Sequence, residues 1–208
     1  MTTDFSWLSR TQLLIGEKAL HQLAKSHVMV VGLGGVGSFA AEFIARSGIG
    51  KMTIIDGDVV DPTNRNRQLP ALATNHGQAK ATIMAERLKA INPEIELQVI
   101  GEFIQPDMVW EKVATRPDYI IDAIDSITPK INFIKNAYEM KIPIVSSMGA
   151  GAKLDPTQLK VVDISKTWNC PFAQQVRKEL KKYLLLQKNK FNNYIKTIKL
   201  LKIILTLG

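Results

Sequence analysis

At 208 residues the chain has the size of one domain, or of one domain with an appendage. Hydrophobic residues make up 46% of it, too many for a disordered chain, and the single cysteine, Cys170, excludes both an internal disulfide framework and a cysteine-rich zinc site. The formal charge of +8 belongs to the tail: residues 1–176 carry 18 basic and 18 acidic side chains, whereas residues 177–208 carry nine basic ones against Glu179 alone. A neutral body offers no basic footprint for nucleic acid.

The body alternates short apolar runs with longer amphipathic ones. Val28 to Val31 is a compact β-like run that ends in Gly32, and a helical pattern follows up to Gly48, with Phe39, Ala40, Phe43 and Ile44 on one side. Met52 to Ile55 reads as a second strand, and Ala79 to Ile91 as a helix closed by Asn92-Pro93. Glu96 to Ile100 alternates like a third strand, Asp107 to Thr115 suggests a short helix, and Tyr119 to Ile121 a fourth strand. Pro129 to Met140 predicts a helix and Pro143 to Ser146 a fifth strand. Strands separated by helices at this spacing imply an α/β fold with a doubly wound, mostly parallel Rossmann-like sheet. Such sheets bind ligands beyond the carboxyl ends of their strands.

From Tyr183 the composition changes to Leu, Ile, Lys and Asn, with Phe191, Ile195, Ile198, Leu201 and Leu205 at helical spacing. A basic amphipathic helix on a membrane surface would show this pattern, and so would a tail of A/T-rich coding after a frameshift or early stop. The expected organisation is a nucleotide-binding domain over residues 1–182, incomplete at its C-terminal end, followed by an atypical tail over residues 183–208. Residues 1–14 lack the apolar run of a signal peptide. No stretch in the first 180 residues reaches the roughly 18 apolar residues of a membrane span, so no stable membrane insertion is expected. Together with the cysteine usage this makes a cytoplasmic protein the expectation.

Gly32-Leu33-Gly34-Gly35-Val36-Gly37 lies directly after strand one and opens a helix. Glycines there let the backbone approach a phosphate and present N–H groups at a helix N-terminus. Asp56, at the end of strand two, is placed to accept hydrogen bonds from ribose hydroxyls. These two features suit NAD as well as ATP. The loop that follows, from Asp56 and Asp58 through Asn64-Arg65-Asn66-Arg67-Gln68, favours ATP. Arginines bind phosphate oxygens bidentately and offset charge developing on pyrophosphate, which hydride transfer does not require. Lys80 opens the next helix as a further cation, and Asp125-Ser126, just past strand four, places a carboxylate for magnesium. His21, His27 and His76 form no metal-ligand pattern.

The glycine run, Asp56-Gly-Asp58, Thr63-Asn64-Arg65-Asn66-Arg67-Gln68, Lys80 and Asp122-Ala-Ile-Asp125 resemble the ThiF/MoeB/HesA group of ubiquitin-activating-like adenylating enzymes. The likeness runs over roughly residues 7 to 182. It implies that Gly32, Gly34, Gly35 and Gly37 lie against the ATP phosphates and that Asp56 holds the ribose. Asp58, Asn64, Gln68 and Ser126 then complete the nucleotide site, Arg67 and Lys80 contact phosphates, and Asp125 serves Mg2+. It also implies a homodimer in which Arg10 is donated into the partner's site, Arg10, Arg67, Lys80 and Asp125 being the residues expected to carry catalysis.

Within the group, the segments Gly149 to Gln158, Asp163-Ile-Ser-Lys-Thr167 and Pro171 to Lys181 are most similar to the tRNA threonylcarbamoyladenosine dehydratases. That branch adenylates the carboxylate of the threonylcarbamoyl group on tRNA adenosine 37, and the activated group then cyclises with loss of AMP. A carboxylate attacking an α-phosphate needs charge cancellation and in-line positioning, not a general base. The lack of a Ser/His/Asp or Cys/His triad is therefore expected. Cys170 stands where the dehydratases usually carry aspartate. Two alternatives remain open: an activating enzyme for a ubiquitin-like sulfur carrier, with sulfur-relay proteins as partners, or an inactive truncated remnant or dinucleotide-binding regulator.

Overall fold

The computed structural model describes residues 4–104, 111, 115–190 and 201–205, with the backbone alone for 186–190 and 201–205. The chain divides into two compact units, residues 1–104 with 117–121, and residues 105–116 with 122–208.

The first unit opens with two short helices, α1 (Ser9–Ile15) and α2 (Glu17–Lys25), which are not among the elements expected from the sequence. The strands β1 (His27–Val31), β2 (Lys51–Ile55) and β3 (Glu96–Ile100) pair in parallel, with His27 opposite Lys51 and Lys51 opposite Glu96. β4 (Tyr119–Asp122), whose first three residues belong to this unit, lies beside β1 and gives the order β3-β2-β1-β4. β1 is buried at every position and β2 at all but its first, so both read as mostly apolar runs rather than as alternation. The helices α3 (Gly37–Arg46) and α4 (Lys80–Ile91) supply the crossovers, and Ala41, Ala45, Ala81, Met84 and Leu88 pack with Val28, Val30, Met52 and Ile54.

α3 buries only part of the apolar side read from the sequence, with Ile44 packed against the core. Its buried side is Gly37, Ser38, Ala41, Glu42 and Ala45, while Phe39 and Phe43 are exposed. Small residues let the helix sit close to the strands below the glycine turn, and large aromatic rings on that side would hold it off. Glu42 is tied by Arg46 and Arg87, which joins α3 to α4.

The second unit carries α5 (Ile127–Glu139), β5 (Ile144–Ser147), β6 (Lys160–Asp163), α6 (Pro171–Lys190) and β7 (Leu201–Leu205). β7 pairs in parallel with β5 and antiparallel with β6. Leu201 and Leu205, which keep helical spacing in the sequence, thus stand in a strand, and α6 carries the helix past residue 182. Ile131, Phe133, Ile134 and Ala137 of α5 and Ala173, Val176 and Leu180 of α6 form its buried faces. The short helix expected over 107–115 and the tail positions Phe191, Ile195 and Ile198 lie outside the described residues. The fold is the expected α/β, Rossmann-like arrangement of mostly parallel strands and flanking helices. Among the described residues no helix is long and apolar enough to cross a membrane.

Candidate functional site

At the carboxyl end of β1 the chain turns on Gly32, whose φ of +85° lies in the left-handed region, and its N–H donates to the Ile55 carbonyl at 2.8 Å. α3 begins five residues later. Its N-cap, Val36, makes no side-chain cap bond and its first turn contains no acidic residue, so side chains leave the positive end of the helix open to an anion. The Gly34 carbonyl receives the Ser38 hydroxyl at 2.6 Å, which holds the loop to the first helical turn.

Asp56 lies across this loop. One carboxylate oxygen accepts the Leu33 N–H at 2.5 Å and the other the Asp58 N–H at 2.8 Å. Each oxygen keeps a lone pair for a ribose hydroxyl in a carboxylate that is already fixed. Burial pushes its pKa above the ordinary carboxylate value, against the pull of those two N–H bonds and of the Lys80 charge.

The polar loop is shaped by its own side chains. Asp61 and Asn64 form a reciprocal cap: the Thr63 N–H donates to Asp61 at 2.8 Å and the Asp61 N–H donates to the Asn64 side chain at 3.1 Å. Asn64 is buried, and its amide oxygen works as a turn former. Arg67 is exposed, and one terminal nitrogen donates to the Thr63 carbonyl at 3.1 Å and to Asn66 Oδ1 at 2.9 Å, leaving the rest of its fork outward. Gln68 presents a buried Oε1 with no hydrogen-bond partner among the described residues. A buried acceptor of this kind is suited to a hydrogen bond from a ligand or water.

The two motifs meet. A methyl group on Gly35 would lie 3.4 Å from the Arg67 carbonyl oxygen, and one on Gly34 would lie 3.7 Å from the Gln68 side-chain nitrogen. The glycine loop thus rests against the Arg67-Gln68 segment.

Lys80 does not point to water. It is 4% exposed, its Nζ donates to Asp58 Oδ2 at 3.0 Å, and its N–H donates to the Asp58 carbonyl at 3.0 Å. The Val60–Gln78 and Gly77–Val60 backbone bonds clasp the same two segments. Gly32, Gly34, Gly35, Gly37, Asp56, Asp58, Asn64, Arg67, Gln68 and Lys80 thus all fall within the first unit, around the carboxyl ends of β1 and β2. Arg10, on α1, is exposed and makes no hydrogen bond or ion pair with any described residue.

In the second unit Asp125 and Ser126 are exposed at the entry to α5, and Ser126 is its N-cap residue without a side-chain cap bond. Behind them lies a group that the sequence pattern does not mark. Asp122 and Lys130 are fully buried and joined at 2.8 Å, and the Ser146 hydroxyl donates to the same Asp122 oxygen at 2.5 Å. Burial pulls the Lys130 pKa down, against the attraction of Asp122 and Asp125. A lysine three residues into a helix looks like a solvated charge in sequence, and only the preceding Asp122 marked the place.

Among the described residues no group of three His, Cys, Asp or Glu side chains could hold a metal. The donors around the glycine loop fit a nucleotide. A pocket of about 130 Å³ lined by Phe5, Trp7, Leu8, Ala24 and Asn92 lies at the amino ends of the strands, away from these groups.

The ThiF family pattern matches residues 8–190. The tRNA threonylcarbamoyladenosine dehydratase of Escherichia coli (strain K12) is 48% identical over 187 residues, covering 88% of this chain and 70% of the relative. That of Bacillus subtilis (strain 168) is 46% identical over 174 residues, covering 84% and 68%. The crystal structure of the E. coli tRNA N6-threonylcarbamoyladenosine dehydratase in complex with ATP superposes with a TM-score of 0.88 at 42% identity, covering all of this chain and 84% of that one. The chain belongs to the ThiF family.

Proposed function

We propose that the chain is an ATP-dependent adenylating enzyme whose substrate carboxylate is the threonylcarbamoyl group on tRNA adenosine 37. The observation that carries this reading is the contact of the glycine loop with Arg67 and Gln68, above the fixed Asp56 carboxylate and the buried Lys80. A helix N-terminus, an arginine fork and a lysine suit a polyphosphate, and Asp56 suits the ribose. The similarity to dehydratases across residues 149–181, and at 48% identity overall, supports tRNA over a carrier protein.

In this reaction a carboxylate oxygen attacks the α-phosphorus and pyrophosphate leaves, giving an acyl-adenylate that cyclises with release of AMP. Arg67 and Lys80 hold phosphate oxygens and offset their charge, and no side chain need remove a proton. Magnesium, when bound, would neutralise the pyrophosphate leaving group, with Asp125 as its protein ligand. Arg10 is donated to a second copy of the chain. The exposed Trp7, Leu13 and Leu14 beside it favour an apolar contact of that kind. A cytoplasmic location is consistent with this substrate.

ATP–pyrophosphate exchange with purified protein tests the reading. Exchange that requires tRNA bearing the threonylcarbamoyl group, and is lost in Arg67→Ala, is the expected result. Exchange that requires a carrier protein's C-terminal glycine instead, along with sulfur-relay partners, would replace it.

A further inference from the structure

Ile124, the residue before Asp125, has both of its backbone polar groups fixed from inside the second unit. Its N–H donates to Asp122 Oδ1 at 3.0 Å, and its carbonyl accepts from Lys130 Nζ at 2.8 Å. That carbonyl belongs to the peptide unit that continues into Asp125, so the ammonium sets the plane from which the Asp125 side chain leaves. Lys130 stands in the first turn of α5, its N–H donates to the Ser126 carbonyl at 3.3 Å, and its side chain reaches back over the turn to Asp122 Oδ2. The Phe172 ring lies 5.8 Å from the same ammonium. One fully buried lysine therefore ties residues 122, 124 and 126 into a single geometry around an exposed carboxylate.

Stability gives little reason to keep such a group. A buried ion pair replaced by apolar side chains of similar volume is often neutral or stabilising, because two charges must leave water. The Asx-type bond from Ile124 N–H to Asp122 would hold half of the turn without a lysine. What Lys130 adds is the second half, the orientation of the Ile124–Asp125 peptide.

We propose that Lys130 is the positioning residue for Asp125, holding its carboxylate in the orientation that receives the metal of the bound nucleotide. The inference rests on the reading of Asp125 as the magnesium carboxylate, and Lys130 itself touches neither metal nor nucleotide. Residues that orient a metal ligand typically change metal affinity about 10–100-fold when removed.

The test compares full-length Lys130→Met, Asp125→Asn and the double variant Asp122→Asn/Lys130→Met, which removes both buried charges together. Two quantities are read by calorimetry: the ATP dissociation constant in chelator, and the magnesium concentration that half-restores tight ATP binding. Lys130→Met should raise the magnesium requirement about 10-fold while leaving metal-free ATP affinity within about 2-fold. Asp125→Asn should raise it at least as far. If Asp125→Asn shifts the requirement and folded Lys130→Met does not, the positioning role is overturned. If Asp125→Asn itself shifts nothing, the magnesium reading of Asp125 falls, and the positioning role falls with it. Should Lys130→Met fail to fold, the charge-free double variant carries the same comparison, and a wild-type magnesium requirement there overturns the proposal.

Discussion

The two ends of the parallel strands in the first unit are built on different terms. At the amino end polar groups satisfy one another: His27 Nε2 meets Thr53 Oγ1 at 2.8 Å, Thr53 donates to Gln98 at 3.2 Å, Lys51 pairs with Glu96 at 2.5 Å, and the His27 N–H donates to Asp118 at 2.8 Å. At the carboxyl end the groups are held but not used up. Asp56 is fixed with lone pairs remaining, Arg67 is anchored through one nitrogen, and Gln68 Oε1 has no described partner. Both ends are rich in polar side chains, so their number does not mark the site. The degree of satisfaction does, because a group whose donors and lone pairs are all used within the chain has little free energy to gain from a ligand.

The largest effect that would sharpen the contrast is Arg67→Ala. The side chain is exposed and among the described residues bonds only to its own loop, so the thermal midpoint should move little. The exchange rate should fall about 10²–10³-fold, the scale for removing one donor to developing charge. An equal loss of stability would place Arg67 among structural groups and break the distinction between the ends.

Gly50→Ala should be the clearest structural lesion. A methyl group there would overlap the Ala24 carbonyl carbon and oxygen, and backbone must move to admit it. A cost of about 1–3 kcal/mol is expected in chemical denaturation, with ATP affinity of the folded fraction unchanged. Altered ATP affinity at equal folded fraction would mean that the two ends are coupled.

Thr53→Val leaves His27 Nε2 buried without its partner and should cost about 1–2 kcal/mol, with exchange unaffected. The smallest expected effect is the pH response of the same group. Burial depresses the His27 pKa, with Lys51 adding to the shift. The folded state therefore binds a proton less readily than the unfolded state, whose histidine titrates near the ordinary 6.5. The stability contributed by neutral His27 is complete above that value and is lost as pH falls from it toward the depressed native pKa. His27→Gln should flatten this arm of the denaturation profile, and an unchanged slope between wild type and variant would count against the buried, neutral histidine.

Much of this was legible in the chain itself. β1 and β2 announce themselves as apolar runs because both faces are buried, and β3 is reproduced over the expected residues 96–100. α3 was legible as a helix, but its apolar side coincides only in part with its buried one. Periodicity identifies an apolar side, but close packing on a sheet selects small side chains, so Ala41 and Ala45 went inward and Phe39 and Phe43 outward. Asn64, expected at the nucleotide, also shapes the turn that carries Arg67, a role its sequence position did not announce.

The linear order of residues determined the elements and the local chemistry: where the glycine turn falls, which strand end carries Asp56, and which loop carries the arginines. These depend on backbone freedom and on neighbours a few positions apart. Only the tertiary structure decided which charges find a partner inside the chain. Lys80 meets Asp58 across 22 residues, and Lys130 meets Asp122 while Ser146 joins from 24 residues beyond Asp122. An ammonium at a helix start has the same sequence signature in water or in the core. The choice is made by whether distant segments enclose it and supply a carboxylate, because desolvation without a partner would otherwise exclude it.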